Sequence, residues 1–145
     1  MKLKILIISI IIGLSSCNDD TNNCTDTILN VNHLETEYGC TGVNIDLSEN
    51  YMIVSNSLDF SEFVDANCQS EVDFTTYDLI IGKKGLTNGL ISIDYELIEN
   101  CETENQNLTI TFNLNETAEA PNVTYNALIP KLGENQELNV ELIMN

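Results

Sequence analysis

The chain has no tryptophan, one histidine and only five positively charged residues against 23 acidic ones in 145 residues. Each scarcity excludes something. The formal charge is −18, and a polyanion of that size is repelled by phosphate backbones and anionic surfaces, which excludes nucleic acid as a partner. Without tryptophan the strongest sugar-stacking side chain is missing, and most Tyr and Phe fall on apolar faces. His33 is the sole histidine, so any Ser-His-Asp arrangement would have to use it. There is no G-x-S-x-G elbow to accompany it, and a solvated surface histidine is expected. No C-x-x-C pair and no D-x-[DN]-x-[DN]-G loop occurs, so neither a zinc nor a calcium site is expected. Gly82-Lys83-Lys84-Gly85 lacks the P-loop frame. Asp94 and Glu96 are spaced as glycosidase acids can be, but i, i+2 spacing equally describes the wet face of a strand. No catalytic residue, metal or cofactor is assigned, and the acidity fits a soluble, exposed surface.

What is present begins at the N-terminus. Lys2 and Lys4 precede an apolar run from Ile5 to Leu14 and the small residues Ser15-Ser16, which is the pattern of a cleaved signal peptide over residues 1–16. The run is shorter than the roughly 20 residues a membrane-spanning helix needs. Leu14-Ser15-Ser16-Cys17 resembles the lipobox of bacterial lipoproteins. That resemblance implies a mature chain starting at a lipid-modified, palmitate-type Cys17. Two or three acyl chains anchor firmly because each buried CH2 contributes about 0.8 kcal/mol. Residues 17–23 read as an acidic flexible tether, and residues 24–145 as one β-rich domain. Asn18-Asp19-Asp20 resembles surface-export signals of some outer-membrane bacteria and inner-membrane retention signals of others. The expected location is the cell envelope, at the outer membrane.

Removing Cys17 leaves Cys24, Cys40, Cys68 and Cys101, an even number that suggests two disulfides in an oxidising compartment. Four cysteines allow three connectivities. Cys24–Cys40 and Cys68–Cys101 are expected, because each pair flanks a local unit.

The clearest structural signal is period-two alternation. Ile91, Ile93, Tyr95 and Leu97 alternate with Ser92, Asp94 and Glu96, and Leu108, Ile110, Phe112 and Leu114 alternate with Thr109, Thr111 and Asn113. The two runs, joined by the polar loop Glu99 to Asn107, predict an antiparallel hairpin. Weaker strands are expected at Val43 to Leu47, Tyr51 to Val54, Tyr77 to Ile81 and Leu138 to Met144. One helix is expected near residues 59–67, with Asp59 and Glu62 at capping-box spacing, Leu58 and Phe63 as a staple, and Phe60, Phe63 and Val64 as its apolar face. The fold class is mainly β: an antiparallel sandwich or half-barrel with one short helix.

Gly82 to Gly89 concentrates two lysines and reads as a glycine-rich hairpin loop permitting positive φ. Its residues Lys83, Lys84, Thr87, Asn88 and Gly89 are the binding-loop candidates. From Met52 onward, the capped helix, Val72-Asp73-Phe74, the glycine loop, the long hairpin and Pro130-Lys131 together resemble the C-terminal domain of PrcB-type protease-complex lipoproteins. In that family the loop ends in Thr-Gly-Gly and an aromatic, where this chain has Thr87-Asn88-Gly89-Leu90. The resemblance implies a non-enzymatic accessory lipoprotein whose partner is a protease. The alternative is a carbohydrate- or matrix-binding lipoprotein, and an unrecognised hydrolase using His33 ranks last. Asp26-Thr27-Ile28 resembles a bacterial O-glycosylation acceptor, with Thr27 as the modified residue.

Overall fold

The computed structural model describes residues 24–48 and 50–145. The signal peptide, Cys17 and the tether expected over residues 1–23 lie outside the described residues. The elements are β1 (Thr27–Leu29), α1 (Leu34–Glu37), β2 (Thr41–Ile45), β3 (Tyr51–Val54), α2 (Ser57–Phe63), β4 (Val64–Asn67), β5 (Tyr77–Gly85), β6 (Leu90–Glu99), β7 (Gln106–Leu114), β8 (Asn122–Pro130) and β9 (Leu138–Met144). They form a four-stranded sheet ordered β1-β6-β7-β9, a three-stranded sheet ordered β3-β5-β8 and a β2-β4 ribbon. The fold is mainly β, as expected, and it packs as a sandwich. It carries two short helices rather than one.

The three-stranded sheet lies in the middle. Its residues Ile80, Tyr125, Ala127 and Ile129 pack against Leu97, Leu108, Ile110 and Phe112 of the four-stranded sheet. On its other face Val54, Leu79, Ile81 and Leu128 pack beneath Ile45 and Val64 of the ribbon, with Leu34, Cys40 and Val72 completing that cluster. Leu79-Ile80-Ile81 and Ala127-Leu128-Ile129 are therefore apolar without alternation, as strands covered on both faces must be. In β6 and β7 one face is wet, so the alternation shows. Ile91 departs from it: a register shift between Leu90 and Ser92 turns its side chain outward, where it is 67% exposed. A second departure is β9, which runs parallel to β7, whereas an all-antiparallel arrangement is expected. The connection through the middle sheet returns the chain to the same end of β7 from which β7 itself starts.

The helix is displaced from its expected span. Asn56, not Asp59, is the N-cap. Its Oδ1 accepts the Asp59 backbone N–H at 2.9 Å, and its Nδ2 donates to Asp59 Oδ2 at 2.7 Å, so the reciprocal pair sits three residues earlier than Asp59–Glu62. The helix stops at Phe63 because Val64 already enters β4. No staple forms, and Leu58 is 72% exposed.

The disulfides are Cys24–Cys101 and Cys40–Cys68, not the expected Cys24–Cys40 and Cys68–Cys101. Strand register decides this. Cys24 precedes β1, whose Thr27 pairs with Glu99, so it arrives beside Cys101 just beyond β6. Cys40 precedes β2 and Cys68 follows β4, and their neighbours Thr41 and Asn67 are paired. Sequence proximity favours local loops; antiparallel pairing joins the two ends of a ribbon.

Between β1 and α1 the chain crosses from one sheet to the other. Leu29 pairs with Leu97 of β6. Three residues later, Asn32 exchanges backbone hydrogen bonds of 3.0 and 2.8 Å with Leu128 on the free edge of β8. This strap laces the two sheets along one side, and Cys24–Cys101 fixes its start.

Two residues break the apolar run in β5. Asp78, 2% exposed, accepts Lys131 Nζ at 2.7 Å and the Leu132 backbone N–H at 2.9 Å, so the buried carboxylate has a counter-ion and a second donor. Gly82 is the other. Its backbone is not left-handed, as a hairpin-loop glycine would be; positive φ occurs instead at Gly39 and Gly42. A Cβ on Gly82 would lie 2.5 Å from the Tyr125 hydroxyl and 2.7 Å from the Asn50 carbonyl oxygen. The Tyr125 ring thus lies across a strand residue with no side chain, an aromatic covering a glycine within a sheet.

Gly82→Ala is expected to cost about 1–3 kcal/mol through overpacking. Gly133→Ala, whose Cβ would meet nothing nearer than 3.8 Å, is expected to fall within about 0.5 kcal/mol of the parent; urea unfolding of both checks the contrast. Non-reducing peptide mapping is expected to recover linked peptides containing Cys24 with Cys101 and Cys40 with Cys68. By loop entropy, removal of the 77-residue and 28-residue closures is expected to cost about 4.5 and about 3.5 kcal/mol respectively.

Candidate functional site

The expected binding loop is only partly a loop. Lys83 and Lys84 belong to β5 and pair with Thr124 and Val123 of β8, which corrects their assignment as loop residues. The turn proper is Leu86 to Gly89. Leu86 is buried and donates its N–H to the Pro121 carbonyl at 2.9 Å. Gly89 is packed so closely that a Cβ there would collide with Thr117 Oγ1 and lie 2.6 Å from Asn115 Oδ1. Of the five candidates, Thr87 is exposed and Asn88 half-buried. Gly89 serves close packing against the 115–117 turn, not a left-handed backbone.

His33 is not a free surface histidine. It is half-buried, its ring lies 4.6 Å from that of Tyr95, and its Nδ1 is 2.9 Å from the Asn126 carbonyl oxygen. A carbonyl only accepts, so Nδ1 carries the proton in the neutral ring. Asn126 is a hub. Its Oδ1 accepts the Leu34 N–H at 3.0 Å, and its Nδ2 donates to Glu35 Oε1 at 3.1 Å. These contacts complete the β8 edge beyond the Asn32–Leu128 bridge and seat the first turn of α1, so the cluster closes the sheet. Burial raises the Tyr95 phenol well above its ordinary value, while a hydrogen bond from the Asn126 backbone works the other way and the Glu35 and Tyr125 oxygens add to the rise.

Asp94 and Glu96 lie on the outward, exposed face of β6, where Asp94 Oδ2 accepts Asn113 Nδ2 at 2.6 Å. Among the described residues no group of His, Cys, Asp and Glu could hold a metal ion, and no helix is long and apolar enough to cross a membrane. Thr27 is exposed on β1; its neighbour Asp26 accepts the Cys101 N–H at 3.1 Å.

A concavity with an apolar floor lies between α2 and the segment that follows β4. It comprises two adjoining lobes of about 500 and 530 Å³ that share Ser57, Glu71, Val72 and Phe74. Phe60 and Phe74 meet at 5.8 Å between ring centres and form the floor with Ala66 and Val72. Glu71-Val72-Asp73 borders the opening and Phe74 begins a turn, its N–H donating to the Val72 carbonyl at 3.2 Å; Val72 is buried and Phe74 half-buried while Glu71 and Asp73 stand exposed on the rim. Cys68 lines the first lobe, so the Cys40–Cys68 bridge holds that wall to the start of β2. Asp73 is fixed from several sides. Its Oδ1 accepts the Thr75 N–H and hydroxyl at 3.0 and 2.6 Å, its Oδ2 accepts the Thr76 hydroxyl at 2.7 Å, and its N–H donates to the Tyr38 hydroxyl at 3.1 Å. The side-chain bonds from Thr75 and Thr76 hold its carboxyl below the usual range. Sequence reading used Phe60 and Val72-Asp73-Phe74 without seeing that they meet; the acid-apolar alternation over 71–74 is the signal that was there.

No family model, curated protein or solved structure matches the chain.

The buried phenols set an alkaline limit. Burial pushes Tyr125 up to about 12, with Tyr51 adding to the rise. An unfolded phenol ionises near pH 10. The folded chain therefore keeps this proton where the unfolded chain loses it, and the associated stability is intact below about pH 10 and lost as pH climbs through about 12. Tyr125→Phe is expected to flatten that alkaline fall in urea midpoints and to delete one late phase from the absorbance titration of the tyrosines.

Proposed function

We propose that the chain is a lipid-anchored, non-enzymatic binding module of the cell envelope that engages a protein partner. The observation that carries this reading is the cleft between α2 and residues 70–75. It has an apolar floor, two carboxylates on its rim, and walls fixed by a disulfide and by the Asp73 hydrogen bonds. Pre-formed concavities of this kind, with apolar lining and a few placed polar groups, are the usual form of a recognition site. The lipobox-like Leu14-Ser15-Ser16-Cys17 supplies the anchor, with acyl chains on Cys17 and a short tether leading to Cys24. The resemblance to PrcB-type accessory lipoproteins extends the partner to a surface protease. In that reading the turn at Thr87-Asn88-Gly89 is a second contact. It lies at the opposite end of β6 from the Cys24–Cys101 bridge, about 30 Å along a ten-residue strand. Thr27, exposed on an edge strand, is available for O-glycosylation.

Two measurements on cells making the full chain test the proposal. Radiolabelled palmitate is expected to enter the parent and not Cys17→Ala. Cross-linking in the intact envelope, followed by mass spectrometry, is expected to recover a protein neighbour bonded near the cleft or the 87–89 turn. A chain that takes up no label and yields only self-cross-links would refute it.

A further inference from the structure

We propose that the cleft between α2 and residues 70–75 takes an extended basic peptide segment of the partner, in which one or two apolar side chains are flanked by lysine or arginine. This rests on the protein-binding reading above and specifies the chemistry of what is bound. The floor of Phe60, Ala66, Val72 and Phe74 offers apolar contact. Over residues 71–74 an exposed carboxylate, Glu71 or Asp73, precedes each floor residue, Val72 or Phe74. Asp73 cannot swing away, because Thr75 and Thr76 hold both its oxygens. A cation reaching it therefore meets a pre-oriented carboxylate, for which no rearrangement is needed.

Among the described residues, nothing on the cleft neutralises this rim. Lys83 and Lys84 lie in β5. Lys131 reaches the Ser55 carbonyl at the edge of the second lobe, but its charge is taken by Asp78 at 2.7 Å. A fatty acid or an anionic headgroup would meet Glu71 and Asp73 with like charge. A second copy of a chain carrying −18 is opposed by self-repulsion. The two adjoining lobes, of about 500 and 530 Å³, have room for several residues of chain rather than one small amine. Charge complementarity of this sort acts mainly on encounter rate and selectivity, while the apolar side chains seated on the floor hold the complex.

The test uses the full chain in detergent and a fluorescein-labelled peptide, Lys-Phe-Lys-Leu-Lys, followed by anisotropy. Lys-Ala-Lys-Ala-Lys carries the same charge without the apolar side chains. Saturable binding is expected for the first peptide, weaker for the second by about tenfold or more and weakened further by added salt. Glu71→Lys, at an exposed position, is expected to reduce binding about tenfold, while Glu116→Lys, an equal charge change on the 115–121 loop, leaves it unchanged. Ser57→Trp, which fills the cleft from its exposed wall, is expected to abolish binding with the fold retained by circular dichroism. Equal binding of the two peptides, equal loss in the two charge reversals, or no saturable binding would overturn the proposal. If envelope cross-linking still recovers a neighbour attached elsewhere, the occupant assigned here is wrong while the binding role stands. If it recovers none, both fall.

Discussion

The described residues are arranged around a ladder whose centre water reaches from neither face. β5 and β8 pair continuously from Tyr77↔Pro130 to Gly85↔Asn122, and the residues at its centre point alternately into two separate apolar clusters. Each of Leu79, Ile80, Ile81, Leu128 and Ile129 contributes about 1.5–3 kcal/mol by leaving water. A polar group so placed is costly without a local remedy, and three of the exceptions have one, while the Tyr125 hydroxyl has no hydrogen-bond partner among the described residues. Asp78 has Lys131 and a backbone donor, Asn126 spends its amide on α1, and Gly82 makes room for the Tyr125 ring. The outer layers follow from the ladder. β6 and β7 cover one face, the β2-β4 ribbon covers the other, and β3 and the Asn32 bridge take the two edges.

The candidate site is a by-product of how the ribbon covers its face. α2 and β4 are contiguous at Phe63–Val64, so the helix cannot lie flat over the cluster. It leaves a gap that the chain from Gln69 to Thr75 only partly fills. Val72 closes the bottom of that gap and Phe74 leans against Phe60. Glu71 and Asp73, which alternate with them, stand exposed. The rim charge is thus a geometric result of alternation in a segment pinned at Gln69 and Asp73 by Tyr38.

Much of the fold was legible before any coordinates. β3 and β9 have the bounds read from alternation or apolar clustering, and β6 and β7 were found with ends off by a residue or two. These strands either show one wet face or are bounded by turn residues. β8 was not legible. Buried on both faces, it has no alternation, and Asn122, Asn126 and Pro130 make it look like a loop. β4 and α1 are too short to carry a period. The disulfides were misjudged because their partners are set by the register of β1 on β6 and β2 on β4, which is non-local. The glycines around Lys83 and Lys84 have the composition of a turn, whereas Gly82 is required by Tyr125, forty-three positions away in sequence. The cleft was invisible for a related reason: its two phenylalanines come from a helix and a turn that only the folded ribbon brings together.

The strap has a mechanical side. Because Cys24 is bonded to Cys101, tension arriving along the residues before Cys24 does not peel β1 from its neighbour one hydrogen bond at a time. It passes through sulfur to the turn between β6 and β7 and pulls that hairpin along its own axis, past β9 on one flank. Bonds of the β7–β9 ladder then resist in shear, many at once. A pull applied at Cys24 would be carried by the stiffest element, and the three-residue β1 would be spared.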